Sequence, residues 1–463
     1  MNQEIEKRIE RIVNGLLKEG TLKNQYEKAT LTERLNATNT PGVSIAVINN
    51  YEIEWARGFG VKECGKPEPV TTDTLFQAAS VSKPIFATVV MKLIQDGKLD
   101  LDEDVNNYLT SWKVPANGAW QPAITLRQLL SHTAGLTVDG FPGYLRNVDA
   151  PSVVQILDGE SSSATPAVRV NIMPGTQFRY SGGGTTVAQQ AVSDYLDKSF
   201  PDIMHELLLG PLQMDRSTYE QPLPEKWHDS AATAHPWKSQ PVQGKWYVYP
   251  EMAAAGLWTT PSDLARVGLE LQLALKNESD QLFSADIVKQ MLTHQVENDM
   301  GIGFFLEGDE ENTRFSHGGW NEGFVSQMMM YKNHGMGAVI MLNSNEGDDI
   351  LREIERAIAR EYNWPGYFPN EKIVIAVTPE ILDTYVGEYV TPFGLKLVVT
   401  KENGILFMQP AGQAPIELYS DSDTKFFMKV IDTEVTFETV EDKVTGLVLL
   451  QSGQPIPAEK ISG

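Results

Sequence analysis

Strand patterns in the first 365 residues of this chain fall into two groups that lie far apart in sequence, and this constrains the fold more than any other feature. Val43–Ile48 and Ile53–Gly58 read as strands, with Asn49-Asn50 between them as a tight turn. Strand character then returns only near residue 300. Gly303–Leu306, Arg314–Ser316, Phe324–Lys332 and Met336–Leu342 alternate there with turn residues. Residues 100–240 carry short helical patterns, loops and Pro/Gly punctuation, with no clear strand series. Helices flank both strand groups. The N-terminal segment places Ile5, Ile9, Ile12 and Leu16 on one side, and Asp348–Tyr362 places Ile350, Ile354 and Ile358 at i, i+4 spacing. This order predicts an α/β (α+β) fold: a sheet flanked by helices, with an inserted, mostly helical domain.

A break follows. Asn363–Asn370, N-W-P-G-Y-F-P-N, reads as a linker. Beyond it, Leu395–Thr400, Ile405–Gln409, Ile416–Tyr419, Phe426–Val430, Glu434–Glu438 and Leu447–Gln451 recur at about ten-residue spacing. Short strands at such spacing predict a small antiparallel barrel or sandwich. The expected division is a first domain over 1–365, with its helical subdomain at about 76–245, then a linker over 366–379 and a β-barrel over 380–463.

Composition narrows the partners. The chain has 463 residues, which favours several domains, and 41% hydrophobic residues can fill a sizeable core. With 61 acidic and 38 basic residues the net charge is -23, which disfavours nucleic acid or an acidic membrane surface as a partner. The single Cys64 excludes an internal disulfide and a cysteine-rich metal site. No cofactor is implied. The charged N-terminus lacks the apolar centre of a signal peptide, and no run of 18 apolar residues predicts a membrane span. A cytoplasmic protein is expected; a mature secreted form carrying a new Met is the alternative.

Ser80-Val81-Ser82-Lys83 carries the chemistry. It enters a segment with Ile85, Val89, Met91, Leu93 and Ile94 near helical period, read as an amphipathic helix with Pro84 in its first turn. Ser80 would stand at the helix N-terminus, where backbone N–H groups favour developing negative charge. Lys83, three residues on, shares its face. A hydroxyl beside an ammonium is one way to activate a serine. Spacing alone proves little, because Ser422-Asp423-Thr424-Lys425 repeats it in a strand-and-turn region.

Two distant segments add to it. In Pro174–Gly184, Tyr180 stands before Ser181 and a glycine run, where its phenol could face a cleft as a candidate general base. In Phe315–Trp320, His317-Gly318-Gly319 lies on an expected strand whose glycines allow a substrate backbone to approach. Taken singly, Tyr180 is more often a packed aromatic and His317 a structural histidine.

Ser80–Lys83, Tyr180–Gly182 and His317–Gly319 together resemble the three motifs of serine β-lactamases and penicillin-binding proteins, in order and approximate separation. The likeness is closest to class C β-lactamases, D,D-peptidases and their esterase and D-aminopeptidase relatives. L-L-S-H-T-A-G-L at 129–136 and A-A-A-G-L-W-T-T-P-S-D-L-A-R at 253–266 add to it. Residues 380–463 more loosely resemble the lipocalin-like barrel appended to many such proteins.

The resemblance implies a β-lactamase-like catalytic domain in which Ser80 is acylated and Lys83 and Tyr180 share the proton transfers. The backbone N–H groups of Ser80 and Trp320 would form the oxyanion hole. Ser181, Gly182, His317, Gly318 and Gly319 would line the substrate side, and His132 is structural. Two positions depart from the family pattern. Gly182 stands where Asn is frequent, and His317 where Lys is frequent. Both point toward a small-molecule or short peptide, amide or ester substrate of D-aminopeptidase or esterase type. β-Lactamase or D,D-carboxypeptidase activity is the alternative, and an inactive binding or scaffold protein is the alternative of another class. Assembly into a homo-oligomer through the barrel is a further expectation.

Overall fold

The computed structural model describes residues 3–17, 28–279, 282–295, 299–368, 374–431, 433–441, 443–451 and 454–462. They form two compact units, the first holding residues up to Leu16 and Ala29–Tyr367, the second holding Leu17, Lys28 and the residues from Phe368 onward.

In the first unit, helix α1 (Gln3–Val13) buries Ile9 and Ile12. Leu16 is buried as well, but in a short strand beyond the helix. Strands β1 (Gly42–Asn49) and β2 (Glu52–Gly60) form a hairpin. Its turn is Asn50-Tyr51, one residue later than expected. Both residues are left-handed, with φ of 53° and 62°, the signature of a type I′ turn. Asn49 still pairs with Glu52, after a register irregularity between Val47 and Ile48.

Helix α2 (Ser82–Gln95) follows. It is not amphipathic. Phe86, Ala87 and Val90 are as buried as Ile85, Val89, Met91 and Leu93, and only Lys92, Ile94 and Gln95 reach toward solvent. A helix apolar all round is a central helix enclosed by its neighbours. Helices α3 (Gly182–Leu196) and α4 (Pro261–Leu275) belong to the long middle stretch.

The second strand group is β3 (Phe305–Glu307), β4 (Arg314–Asn321), β5 (Phe324–Tyr331) and β6 (Gly337–Leu342). The two groups meet where β1 pairs with β6, Val43 opposite Leu342 and Ile48 opposite Gly337. This completes an antiparallel six-stranded sheet in the order β2-β1-β6-β5-β4-β3. β1 and β6 are buried almost throughout, so both sheet faces are covered. Helix α4 packs on β1 and β6. The last helix, α5 (Asp348–Glu361), packs on β6 and against α1. Among the described residues no helix is long and apolar enough to cross a membrane.

The stretch after α5 is packed rather than free. Trp364 is buried, the Pro365 carbonyl accepts from the Tyr331 hydroxyl at 2.7 Å, and the Gly366 carbonyl accepts from Arg314 Nη1 at 3.0 Å. Residues 369–373 of the expected linker lie outside the described residues.

The second unit is a closed barrel. Its strands are β7 (Gly387–Val390), β8 (Lys396–Glu402), β9 (Ile405–Pro410), β10 (Ile416–Ser420), β11 (Lys425–Met428), β12 (Thr433–Val440), β13 (Lys443–Gln451) and β14 (Gln454–Ser462). Each pairs with the next, and β14 returns to β7. These two closing strands carry no alternating apolar signal, and Pro455 and Pro457 interrupt β14. Tyr385, from a short helix at Pro379–Tyr385, stacks on Phe437 at 4.0 Å inside a core shared with Tyr389 and Phe426. Side chains fill this barrel, as in other small ones.

Candidate active site

Ser80 stands in a single 3₁₀ turn, Ala79–Val81, directly before α2. Ala79 is left-handed with φ of 49°, a strained state for a residue with a side chain. Surrounding bonds hold it. The Ala78 amide donates to Leu257 O at 2.8 Å, Ser326 Oγ donates to Ala78 O at 2.7 Å, and the Leu257 amide donates to Ser82 Oγ at 3.0 Å. Pro84 lies in the first turn of α2. Lys83 is buried, and its Nζ donates to Ser80 Oγ at 2.9 Å and to Ala254 O at 2.8 Å. By contrast, Ser422 Oγ accepts the Lys425 backbone amide at 2.9 Å in a surface turn, so the second Ser-x-x-Lys has no helix to present it.

Tyr180 sits at the mouth of α3, and Lys83 Nζ lies 5.0 Å from the centre of its ring. The next two residues are committed elsewhere. Ser181 caps α3: its Oγ accepts from the Gly184 amide at 2.9 Å and donates to Thr137 O at 2.8 Å. The Gly182 amide donates to Asp139 O at 2.9 Å, and a Cβ there would stand 2.9 Å from the same oxygen. Close packing on the 137–139 loop therefore excludes a side chain at 182. Neither residue has a side-chain group left for a substrate.

Strand β4 brings the third segment alongside. A Cβ on Gly319 would lie 2.2 Å from Ala78 O and 2.4 Å from Ser326 Oγ, so glycine is what lets β4 reach the Ser80 turn. β3 pairs with Arg314–Ser316, and past Ser316 that edge of β4 has no partner strand among the described residues. In antiparallel pairing, alternate residues point N–H and C=O away from the neighbour they pair with. Alternate residues within 317–320 thus offer backbone groups to the cleft. The Trp320 side chain is exposed.

His317 is buried. Its Nδ1 lies 2.6 Å from Gly318 O and donates to it, which leaves Nε2 as an acceptor without a partner among the described residues. Burial, with the charge of Lys83, drives its pKa down to about 3, so the ring is neutral. Ser80, Tyr180, Phe305, His317, Trp320 and Gln327 line one cleft of about 520 Å³. Among the described residues, no cluster of three or more His, Cys, Asp or Glu side chains could hold a metal ion.

Asn321 and Glu251, which the sequence did not single out, and His132, expected to be structural, also join this region. Asn321 Nδ2 donates to Gln77 Oε1 at 3.0 Å and to Ala255 O at 3.1 Å, tying β4 to the strand before Ser80 and to the turn that holds Lys83. The His132 ring lies 4.3 Å from that of Tyr180. Glu251 precedes the Met252–Ala255 turn, fully buried, and neither carboxylate oxygen has a hydrogen-bond partner among the described residues. None is visible as spacing, because the partners of Asn321 and His132 are remote in sequence and the burial of Glu251 is tertiary.

Glu251 makes stability depend on pH. Burial pushes its carboxyl up to about 8, from 4.5 in an unfolded chain. The native state therefore holds a proton that the unfolded chain has lost. The stabilisation is complete below pH 4.5 and drains away as pH rises toward 8. Its slope is about 1.4 kcal/mol per pH unit. Urea unfolding at pH 5, 6, 7 and 8 should show Glu251→Gln gaining on the wild type at each step. Parallel pH profiles for the two proteins would remove this assignment.

The chain is similar to known proteins over both units. The profile of the Beta-lactamase family matches residues 28–362, and that of a Domain of unknown function (DUF3471) matches residues 371–460. Penicillin-binding protein 4* of Bacillus subtilis (strain 168) is 25% identical over 448 residues, spanning 92% of this chain and 96% of that protein. The octameric penicillin-binding protein homologue from Pyrococcus abyssi has a TM-score of 0.61 at 18% identity, over 93% of this chain and 98% of that one. The D-amino acid amidase from Ochrobactrum anthropi SV3, complexed with L-phenylalanine amide, has a TM-score of 0.57 at 20% identity, over 77% and 98% of the two chains.

Proposed function

The chain belongs to the Beta-lactamase family, and on that premise we propose that it is a serine hydrolase working through an acyl-enzyme on Ser80. The observation that carries this reading is the 2.9 Å hydrogen bond between a buried Lys83 ammonium and Ser80 Oγ. Ser80 Oγ bonds to the acyl carbon while its proton leaves to Tyr180, acting as a phenolate beside the Lys83 ammonium. That proton then passes to the departing amine or alkoxide as its bond to the acyl carbon breaks. Water attacks the ester in the same way, releasing the acid and restoring the Ser80 hydroxyl. The Ser80 and Trp320 N–H groups would receive the oxyanion, such donors being worth about 3 kcal/mol each.

The substrate end favours D-aminopeptidase- or esterase-like chemistry. A neutral His317 supplies no cation for a substrate carboxylate, and the 181–182 pair supplies no side-chain amide. The lack of a charged hydrogen bond of this kind costs about tenfold or more in affinity. A D-alanyl anilide and nitrophenyl butyrate should therefore be turned over at least about tenfold faster than a chromogenic cephalosporin.

A fluorophosphonate probe should phosphonylate Ser80 with loss of fluoride, seen as the added mass of the probe less HF, and fail on Ser80→Ala. A wild-type protein that takes up no probe would overturn the reading in favour of an inactive scaffold. The octameric state named for the Pyrococcus abyssi homologue makes solution mass by light scattering the matching check on self-association.

A further inference from the structure

His132 belongs to L-L-S-H-T-A-G-L, a run that the acyl-transfer steps leave without a task. It lies just beyond the short helix Leu126–Leu130, at a left-handed φ of 57°. A non-glycine residue held there implies that the surroundings fix its position. They do so through polar bonds on both sides. The His132 carbonyl accepts from the Arg179 amide at 2.7 Å, and the ring Nδ1 accepts from the Ser181 amide at 3.1 Å. Residue 132 thus grips the backbone immediately before and immediately after Tyr180. Its ring lies 4.3 Å from the Tyr180 ring, tilted by 38°, with Phe178 edge-on at 6.0 Å on another side.

From these contacts we infer that His132 is a positioning residue that holds the Tyr180 phenol in place beside Lys83, by clamping the flanking backbone and stacking on the ring. The inference rests on the reading of Tyr180 as a proton-transfer group. It gives the histidine a task that leaves it out of proton transfer. Nδ1 must stay bare to accept the Ser181 amide, so the ring must be neutral. The charged or titratable groups facing it are Lys83, His317 and Tyr180. Burial, with the Lys83 charge and the nearby His317, holds its pKa well below the ordinary histidine value. A protonated His132 would both lose the amide and set a second cation next to Lys83.

Two substitutions of similar size separate positioning from space filling. Asn places its carbonyl oxygen near the Nδ1 position and tolerates a left-handed φ, whereas Gln carries its acceptor farther out, toward the Nε2 position. With nitrophenyl butyrate as substrate, His132→Gln should lower kcat by about tenfold to a hundredfold with KM within about twofold, the cost of a misplaced catalytic group. His132→Asn should recover most of kcat. In a Tyr180→Phe background, His132→Gln should cost little further, because the two act as one unit. Thermal melts would run alongside as a check on folding.

Equal activity of His132→Gln and wild type overturns the positioning role alone, provided Tyr180→Phe is slow. So does an additive loss in the double variant, or an Asn variant no better than Gln. Unchanged kcat in Tyr180→Phe overturns the Tyr180 reading and the inference with it.

Discussion

Lys83→Met is expected to lower the rate of Ser80 acylation by about 10³- to 10⁴-fold while leaving the fold as stable as before, or more so. The two effects have one cause. Lys83 is buried, with two of its ammonium donors spent on Ser80 Oγ and Ala254 O. An ammonium held in such a place is expensive in solvation, and an apolar side chain of similar length removes that cost. On the proposed mechanism the same substitution removes the ammonium that polarises Ser80 and supports Tyr180 as its base. Fluorophosphonate labelling rates measure the first effect and urea unfolding the second. A variant that labels at the wild-type rate would show that Ser80 is activated by something else. A variant that labels slowly because it is unfolded would be exposed by the second measurement. Retained stability with lost reactivity is the pattern of a site kept for chemistry rather than for folding.

Gly319→Ala should be nearly as damaging, by a different route. The added methyl would meet Ala78 O at 2.2 Å and Ser326 Oγ at 2.4 Å. Ala78 precedes the strained Ala79 and Ser80, and its carbonyl already accepts from Ser326 and from the Val81 amide. No flexible side chain on the Ala78 side can yield, so β4 or the Ser80 turn must move. Overpacking of this kind typically costs about 1–3 kcal/mol of stability. A shift of about 1 Å between nucleophile and oxyanion donors costs about a hundredfold in rate. The expected result is a kcat for nitrophenyl butyrate about two orders of magnitude down, with a lower melting temperature. Gly318→Ala is the control. Its methyl would meet Gln327 Oε1 at 3.1 Å, the tip of a flexible side chain. If both alanine variants behave alike, the close approach of β4 to Ala78 is not what holds the site.

Much of this was readable along the chain, and the errors have physical causes. Strand patterns at 43–58 and 303–342 announced two halves of a sheet, although only the β1–β6 pairing joins them. The closing barrel strands escaped notice because β14 carries prolines and β7 is short, and pairing rather than side-chain pattern defines them. Helix α2 was expected to show one apolar face, but helices and strands enclose it on every side. The packed stretch at Trp364–Tyr367 carries the composition of a linker, since Pro and Gly mark a turn whether or not an aromatic neighbour is buried beneath it.

The sequence by itself determined what is local. A serine and a lysine three residues apart at a helix entrance must share a face, because helical geometry sets their separation within a single turn. The 2.9 Å contact between Ser80 and Lys83 is that geometry realised. Only the tertiary structure decided what stands around them. It put Tyr180 beside Lys83, set His132 on its ring, packed β4 against Ala78, and left Ser181 and Gly182 no side-chain group for a substrate. It also decided charge states. His317 is neutral and Glu251 keeps a proton because each is buried, and burial is a property of the assembled chain rather than of any stretch of it.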